Sequence, residues 1–190
     1  LGVDTDGAAV ALEGLAEKFH AAPALLQALN DGADFASAGT TIRVPAVDAQ
    51  PPPKAARVVV DKSDSTLALL DEAGNVVAQY PATTGSEHDP LPIGDWKIKG
   101  VAKDPVFHYN PELFWDAEAN DEKATLKPGP NNPVGTVWVD LDIPHYGIHG
   151  TPEPATIAKT QSHGCIRLTN WSALELSGVV APGTPATLQE

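Results

Sequence analysis

The residues best suited to chemistry lie between Tyr146 and Leu168. The stretch opens with Tyr146-Gly147-Ile148-His149-Gly150-Thr151 and, after ten further residues, reads Ser162-His163-Gly164-Cys165-Ile166-Arg167-Leu168. Cys165 is the single cysteine of the 190-residue chain, so it forms no internal disulfide. Such a residue commonly packs as a small hydrophobe; this one has a histidine two positions before it and an arginine two after. In an extended run, His163, Cys165 and Arg167 share one face. Two cationic or potentially cationic neighbours would favour the thiolate, the reactive form. Gly164 leaves room for a substrate to approach the backbone, and consecutive N–H groups there can receive an oxyanion. His149, followed by Gly150, offers a general base from another strand, and Cys plus His is the minimal nucleophile–base pair. The same residues also read as a structural thiol among hydrogen-bonded histidines, and residue types alone leave both readings open.

A metal site competes for the same side chains. His145 and His149 have the His-x3-His spacing that binds zinc on a helix, with His163 and Cys165 nearby. Pro144, Gly147 and Gly150 oppose a helix there. In a strand the two histidines stand about 13 Å apart, too far to share an ion. Neither a metal nor another cofactor is expected.

The elements that must position these residues have period two. Arg57–Val60, Thr66–Leu70, Val76–Tyr80, Asp95–Val101, Thr136–Asp140 and Tyr146–His149 are expected strands, with a turn at Glu72-Ala73-Gly74-Asn75. A helix is expected from Asn170 to Ser177, opened by Asn170 or a Ser172–Glu175 capping box and closed by Gly178. Many short strands separated by turns imply a sandwich or barrel, a mainly β fold. A long irregular insertion from Lys103 to Pro133 carries Phe107, Tyr109, Phe114 and Trp115, and loops of that length often act as lids.

Upstream, Gln50-Pro51-Pro52-Pro53 begins a stiff spacer over residues 50–56. It divides a small helical segment, 1–49, from a larger domain, 57–190. In the former, Leu12, Leu15, Ala16 and Phe19 fall on one helical face. Pro23 sits where a first-turn proline is tolerated, and Leu25, Leu26 and Leu29 form a second apolar face. Asn30-Asp31-Gly32 stops that helix, and Thr41–Pro45 reads as a short strand.

Composition excludes several partners. With 25 Asp and Glu against 12 Lys and Arg, the formal charge is −13. Affinity for nucleic acid or anionic lipid rests on cationic contacts, so neither is an expected partner. No run of 18 apolar residues provides a membrane span. The chain starts at Leu1 and contains no Met, so a processed, truncated or designed chain is expected, from which an export signal could have been removed without trace.

The His149-Gly150-Thr151 and Ser162-His163-Gly164-Cys165-Ile166-Arg167-Leu168 runs, with sixteen positions from His149 to Cys165, resemble the signature of the L,D-transpeptidase catalytic domain, the YkuD-like family. The resemblance extends over about residues 57–189. It includes Thr84-Gly85, Pro92-Ile93-Gly94 and Pro130-Asn131-Asn132-Pro133-Val134-Gly135. It implies a YkuD-like β-sandwich or barrel with a short helix after the cysteine. It implies Cys165 as nucleophile, His149 as base and the Gly150 carbonyl as the group orienting His149. His163 would position substrate, backbone N–H groups of His163, Gly164 and Cys165 would form the oxyanion hole, and Arg167 would meet a substrate carboxylate. Ser162 would support the turn, while Tyr109, Phe114 and Trp115 belong to the expected lid.

The implied reaction is exchange of the D-Ala-terminated bond of a peptidoglycan tetrapeptide stem, through a thioester, for a bond to an amine or to water. The resemblance thus implies an exported protein of the periplasm or cell wall. Residues 11–46 resemble part of a LysM domain without its leading strand, which implies glycan binding; a helical cap is the alternative. A wall-binding module with an unused centre is the competing functional class, and the intact Cys–His pair favours the enzyme.

Overall fold

The computed structural model describes residues 3–46, 50–114, 117–118 and 120–190. The chain forms two compact units, Leu1–Gln50 and Pro51–Glu190.

In the larger unit, alternation decides which residues become strands. β1 (Arg57–Asp61) buries Val58 and Val60, and β2 (Thr66–Leu70) buries Leu67 and Leu69. Burying each such aliphatic side chain contributes about 1.5–3 kcal/mol relative to leaving it in water. β3 (Val76–Pro81), β4 (Gly94–Lys103), β7 (Val137–Leu141), β8 (Gly147–His149), β9 (Ile166–Arg167) and β10 (Pro185–Gln189) complete an eight-stranded sheet. Its order is β3-β2-β1-β10-β4-β7-β8-β9. The sheet curls until its two ends meet. Just beyond β3, Thr83 N–H donates to the Arg167 carbonyl at 3.0 Å, and Arg167 N–H donates to the Thr83 carbonyl at 2.8 Å. The helix α3 (Asn170–Val179) packs Ala173, Leu176 and Val179 into the same core as Ile148 and Ile166.

Several expectations are corrected. Alternation does not predict β10, although it lies between β1 and β4: Pro185 and the polar residues of Pro-Ala-Thr-Leu-Gln leave only Ala186 and Leu188 as inward positions. The cap of α3 is Thr169, whose hydroxyl accepts from Ser172 N–H at 3.1 Å, and Gly178 lies inside the helix rather than ending it. Residues 103–133 are not wholly irregular, because β5 (Phe107–Tyr109) pairs with β6 (Ala124–Leu126) as a separate ribbon. Ala55 and Ala56, read from sequence as spacer, hydrogen-bond to Val179 and Leu70.

The smaller unit holds α1 (Val3–Lys18) and α2 (Pro23–Leu29). Leu12, Ala16 and Leu26 form its buried centre, with Phe35 and Val44 packed on it. Leu25 and Leu29 are exposed, so the expected apolar face of α2 narrows to Leu26. Thr41–Pro45 is not a strand. Instead the Asn30 amide donates to the Arg43 carbonyl at 2.7 Å and accepts from Arg43 N–H at 2.6 Å, doing for this segment what a neighbouring strand would do.

Candidate active site

Three adjacent strands set the site. β8 runs antiparallel to β7, pairing Trp138 with His149, and parallel to β9, pairing His149 with Arg167. Paired residues point the same way, so Trp138, His149 and Arg167 form a row, with Ile148 and Ile166 turned into the core. The row faces a cavity of about 760 Å³ that Cys165, His163 and Tyr146 also line.

Glycine decides how closely this row packs. A Cβ on Gly147 would come within 2.5 Å of the Trp138 ring, so the bare residue lets the indole lie across the strand. The indole stacks on His149 with centroids 5.4 Å apart and planes 14° from parallel. The other side of the imidazole's ring system is fixed by chemistry: Nδ1 lies 2.6 Å from the Gly150 carbonyl oxygen. A carbonyl only accepts, so Nδ1 carries the proton and a neutral ring keeps its lone pair on Nε2. His149 is buried, and that burial holds its pKa down to about 4, against a smaller upward pull from the Gly150 carbonyl; the Arg167 charge lowers it further. At neutral pH it is an uncharged base.

Cys165 sits at a bend. The expected extended run starts only at Ile166; His163 to Cys165 turns, with Gly164 at φ +91°. A Cβ there would be strained and would stand 2.6 Å from the Tyr146 ring. Ser162 clamps the bend by donating its hydroxyl to the Cys165 carbonyl at 2.5 Å. The thiol reaches toward the His145 carbonyl at 3.6 Å. Burial pushes the thiol above its usual pKa; the Gly147 N–H and the Arg167 charge pull it down, and Asp89 pushes it up. The Arg167 charge favours the thiolate, as expected from sequence, but desolvation is the larger influence and moves the thiol the other way. His145 occupies a turn at φ +68° and is exposed, while His149 lies in a strand, so the His-x3-His pair is not helical.

The insertion contributes an aromatic wall. Phe107 and Phe114 line the cavity, and Phe114 meets the His163 ring edge-on at 5.0 Å and 74°. Tyr109 backs Phe114 at 5.2 Å and donates its hydroxyl to Asp121 at 2.7 Å. Trp115, the third expected lid residue, lies outside the described residues.

A family model described as YkuD, L,D-transpeptidase catalytic domain, matches residues 55–188. The chain belongs to this family. It is 33% identical over 181 residues to the YkuD protein of Bacillus licheniformis, covering 93% of this chain and 92% of that one. It is 29% identical over 133 residues to YqjB of Bacillus subtilis, covering 67% of each. Among solved structures, an L,D-transpeptidase from Mycobacterium smegmatis superposes with a TM-score of 0.54 at 23% identity, covering 70% of this chain and 58% of that one. L,D-transpeptidase 3 from Mycobacterium tuberculosis, bound to a faropenem-derived adduct, gives 0.54 at 18% identity, covering 70% and 59%. The likeness to the solved chains is one of fold, and this chain spans less than three fifths of each.

In this YkuD domain, sequence reasoning missed the side chains that brace the site. The buried Asn170 carbonyl oxygen accepts from Thr136 N–H at 3.0 Å, and its amide donates to the Pro130 carbonyl at 3.3 Å. A Cβ on Gly135 or Gly150 would overlap that oxygen. Asn170 thus ties the 130–136 segment to the residue that orients His149. Its position at the start of a helix had suggested only a cap. Trp138 carried no local signal, since its link to His149 depends on strand register. Asp89, in a loop, likewise carries no local signal.

Proposed function

We propose that this protein is a peptidoglycan L,D-transpeptidase working through an acyl-enzyme on Cys165. The observation that carries the reading is the His149 imidazole, held by the Gly150 carbonyl so that Nε2 keeps the lone pair, on the same cavity as the Cys165 thiol.

A neutral thiol–imidazole pair suits a buried site, because a standing ion pair would be costly there without substrate. Sγ attacks the carbonyl carbon of the bond before the terminal D-Ala while Nε2 takes the thiol proton. That proton passes to the departing amine, the C–N bond breaks and a thioester remains. An acceptor amine then attacks the thioester carbon and gives a proton to His149. The C–S bond breaks and the proton returns to sulfur. Backbone N–H groups of His163, Gly164 and Cys165 receive the oxyanion, and Arg167 grips a donor carboxylate with two parallel hydrogen bonds. The Phe107 and Phe114 wall limits water at the thioester. The exchange needs no ATP, which fits the periplasm or wall. Residues 11–46 are assigned to glycan contact on the LysM resemblance.

Incubation with purified disaccharide-tetrapeptide and mass spectrometry tests the reading. Loss of one D-Ala with a cross-linked dimer supports it; loss of D-Ala with water as the acceptor shows a carboxypeptidase; unchanged substrate and no adduct on Cys165 overturn it.

A further inference from the structure

The charges in the cavity are few and opposite. Among the described residues lining it, Asp89 is the single carboxylate and Arg167 the single arginine or lysine. The remaining walls are largely aromatic, aliphatic and proline side chains, with four histidines. A reaction joining two peptide stems brings two charges into such a space: a donor carboxylate and an acceptor amine. Arg167 answers the first. An aliphatic amine has a pKa of about 10 and arrives as an ammonium at neutral pH, and the second charge answers it.

We propose that Asp89 is the acceptor-amine site of this cavity, its carboxylate binding the incoming ammonium while Arg167 holds the donor. This rests on the transpeptidase reading above and specifies the half of the reaction that reading leaves without a binding residue.

The loop is built to hold Asp89 in place. Ser86 N–H donates to the Asp89 carbonyl at 2.8 Å, and Asp89 N–H donates to the Ser86 hydroxyl at 3.0 Å. A Cβ on Gly85 would overlap the Asp89 carbonyl oxygen and the Leu91 nitrogen, so a bare residue is needed for the turn. Both backbone groups of Asp89 are thus engaged in shaping the loop. Among the described residues, no hydrogen bond or ion pair engages its carboxylate. The charge also acts on Cys165 and on Tyr146, which places it within electrostatic reach of the nucleophile.

A carboxylate is too weak a base to take the ammonium proton itself. Asp89 concentrates and orients the amine; the proton that makes it an ammonium is lost to solvent. The neutral amine forms the new C–N bond as the C–S bond breaks, and its remaining excess proton passes through His149 to sulfur. The protein's overall charge of −13 draws cations generally, but a diffuse field does not orient them and a fixed local charge does.

The test separates the two half-reactions. Acyl-enzyme is formed from disaccharide-tetrapeptide and followed by intact mass and D-Ala release. Transfer to meso-diaminopimelate, a charged amine, is then compared with transfer to hydroxylamine, which is largely uncharged at neutral pH. In Asp89→Asn the KM for diaminopimelate rises at least tenfold and hydrolysis takes a larger share of the products. Transfer to hydroxylamine stays within twofold, and Asp89→Glu recovers most of the loss. An unchanged diaminopimelate KM, or an equal loss with both nucleophiles, overturns the assignment while acyl-enzyme formation leaves the transpeptidase reading standing. If the wild-type protein forms no acyl-enzyme, the transpeptidase reading and this inference fall together.

Discussion

Thr83 and Arg167 close the curled sheet with two backbone hydrogen bonds, 2.8 and 3.0 Å long. One residue therefore has two separable functions. The Arg167 backbone joins the sheet ends, while its side chain lines the cavity beside His149.

Because the closure uses only main-chain atoms, Arg167→Lys should leave it intact. The melting temperature is expected to move by no more than about 2 °C, which is about 0.5–1 kcal/mol for a domain of this size. Turnover of tetrapeptide stems should fall at least tenfold, since an ammonium cannot reproduce the two-pronged grip on a carboxylate. A destabilised variant with unchanged catalytic efficiency per folded molecule would show that the side chain is structural.

Cys165→Ser should retain the wild-type circular dichroism spectrum and lose turnover, because a hydroxyl is a far weaker nucleophile beside the same base. Intact-mass spectrometry with a carbapenem should give one adduct on the wild-type protein and none on the variant. Since burial raises the thiol pKa, iodoacetamide labelling of the wild-type thiol should keep accelerating above pH 9. A plateau at neutral pH would mean a resting thiolate.

His149→Ala should slow acylation by roughly 10²–10⁴-fold with little change in substrate affinity. A larger loss in His163→Ala would exchange the assignments of the two histidines.

Acid should also unfold the domain through His149. Its pKa is about 4 in the folded protein and about 6.5 when unfolded, so between those values the unfolded chain binds more protons. Stability is therefore fully present above about pH 6.5 and falls as the pH drops toward 4, by roughly 3 kcal/mol for this one group. Urea midpoints measured at several pH values should show that limb, and it should flatten in His149→Gln. A limb of the same depth in the variant would assign acid sensitivity to other groups.

Gly147→Ala should be unusually damaging for so small a change. The added methyl meets the Trp138 ring, so the indole must leave its stack on His149. A loss of about 1–3 kcal/mol is expected, together with altered tryptophan fluorescence. A variant with wild-type fluorescence and full activity would show that the stack is dispensable.

The strands that alternate cleanly were legible: Thr66–Leu70 was read with the bounds it has in the structure, because each inward position is a leucine. Pro185–Gln189 was not, because its place in the middle of the sheet comes from long-range pairing with β1 and β4 that its own five residues do not encode. The site divides along the same line. Cys165 and His149 stand out by type and spacing, whereas Trp138, Asn170 and Asp89 come close to the cavity or its supports only through register and loop packing. Spacing reveals the Arg167 neighbour of Cys165 but not the desolvation that opposes it.

The position of β10 has a consequence for the order of events when the chain is made. β10 is the bridge between the β3-β2-β1 and β4-β7-β8-β9 portions of the sheet, which otherwise meet through Thr83 and Arg167. Residues 185–189 lie about twenty positions after Cys165, so a chain leaving the ribosome N-terminus first presents that thiol before the strand that completes the sheet exists. Such distant pairings form slowly. The thiol thus passes through an interval in which its sheet is still open, and the cavity can be assembled only once nearly the whole catalytic unit has come through.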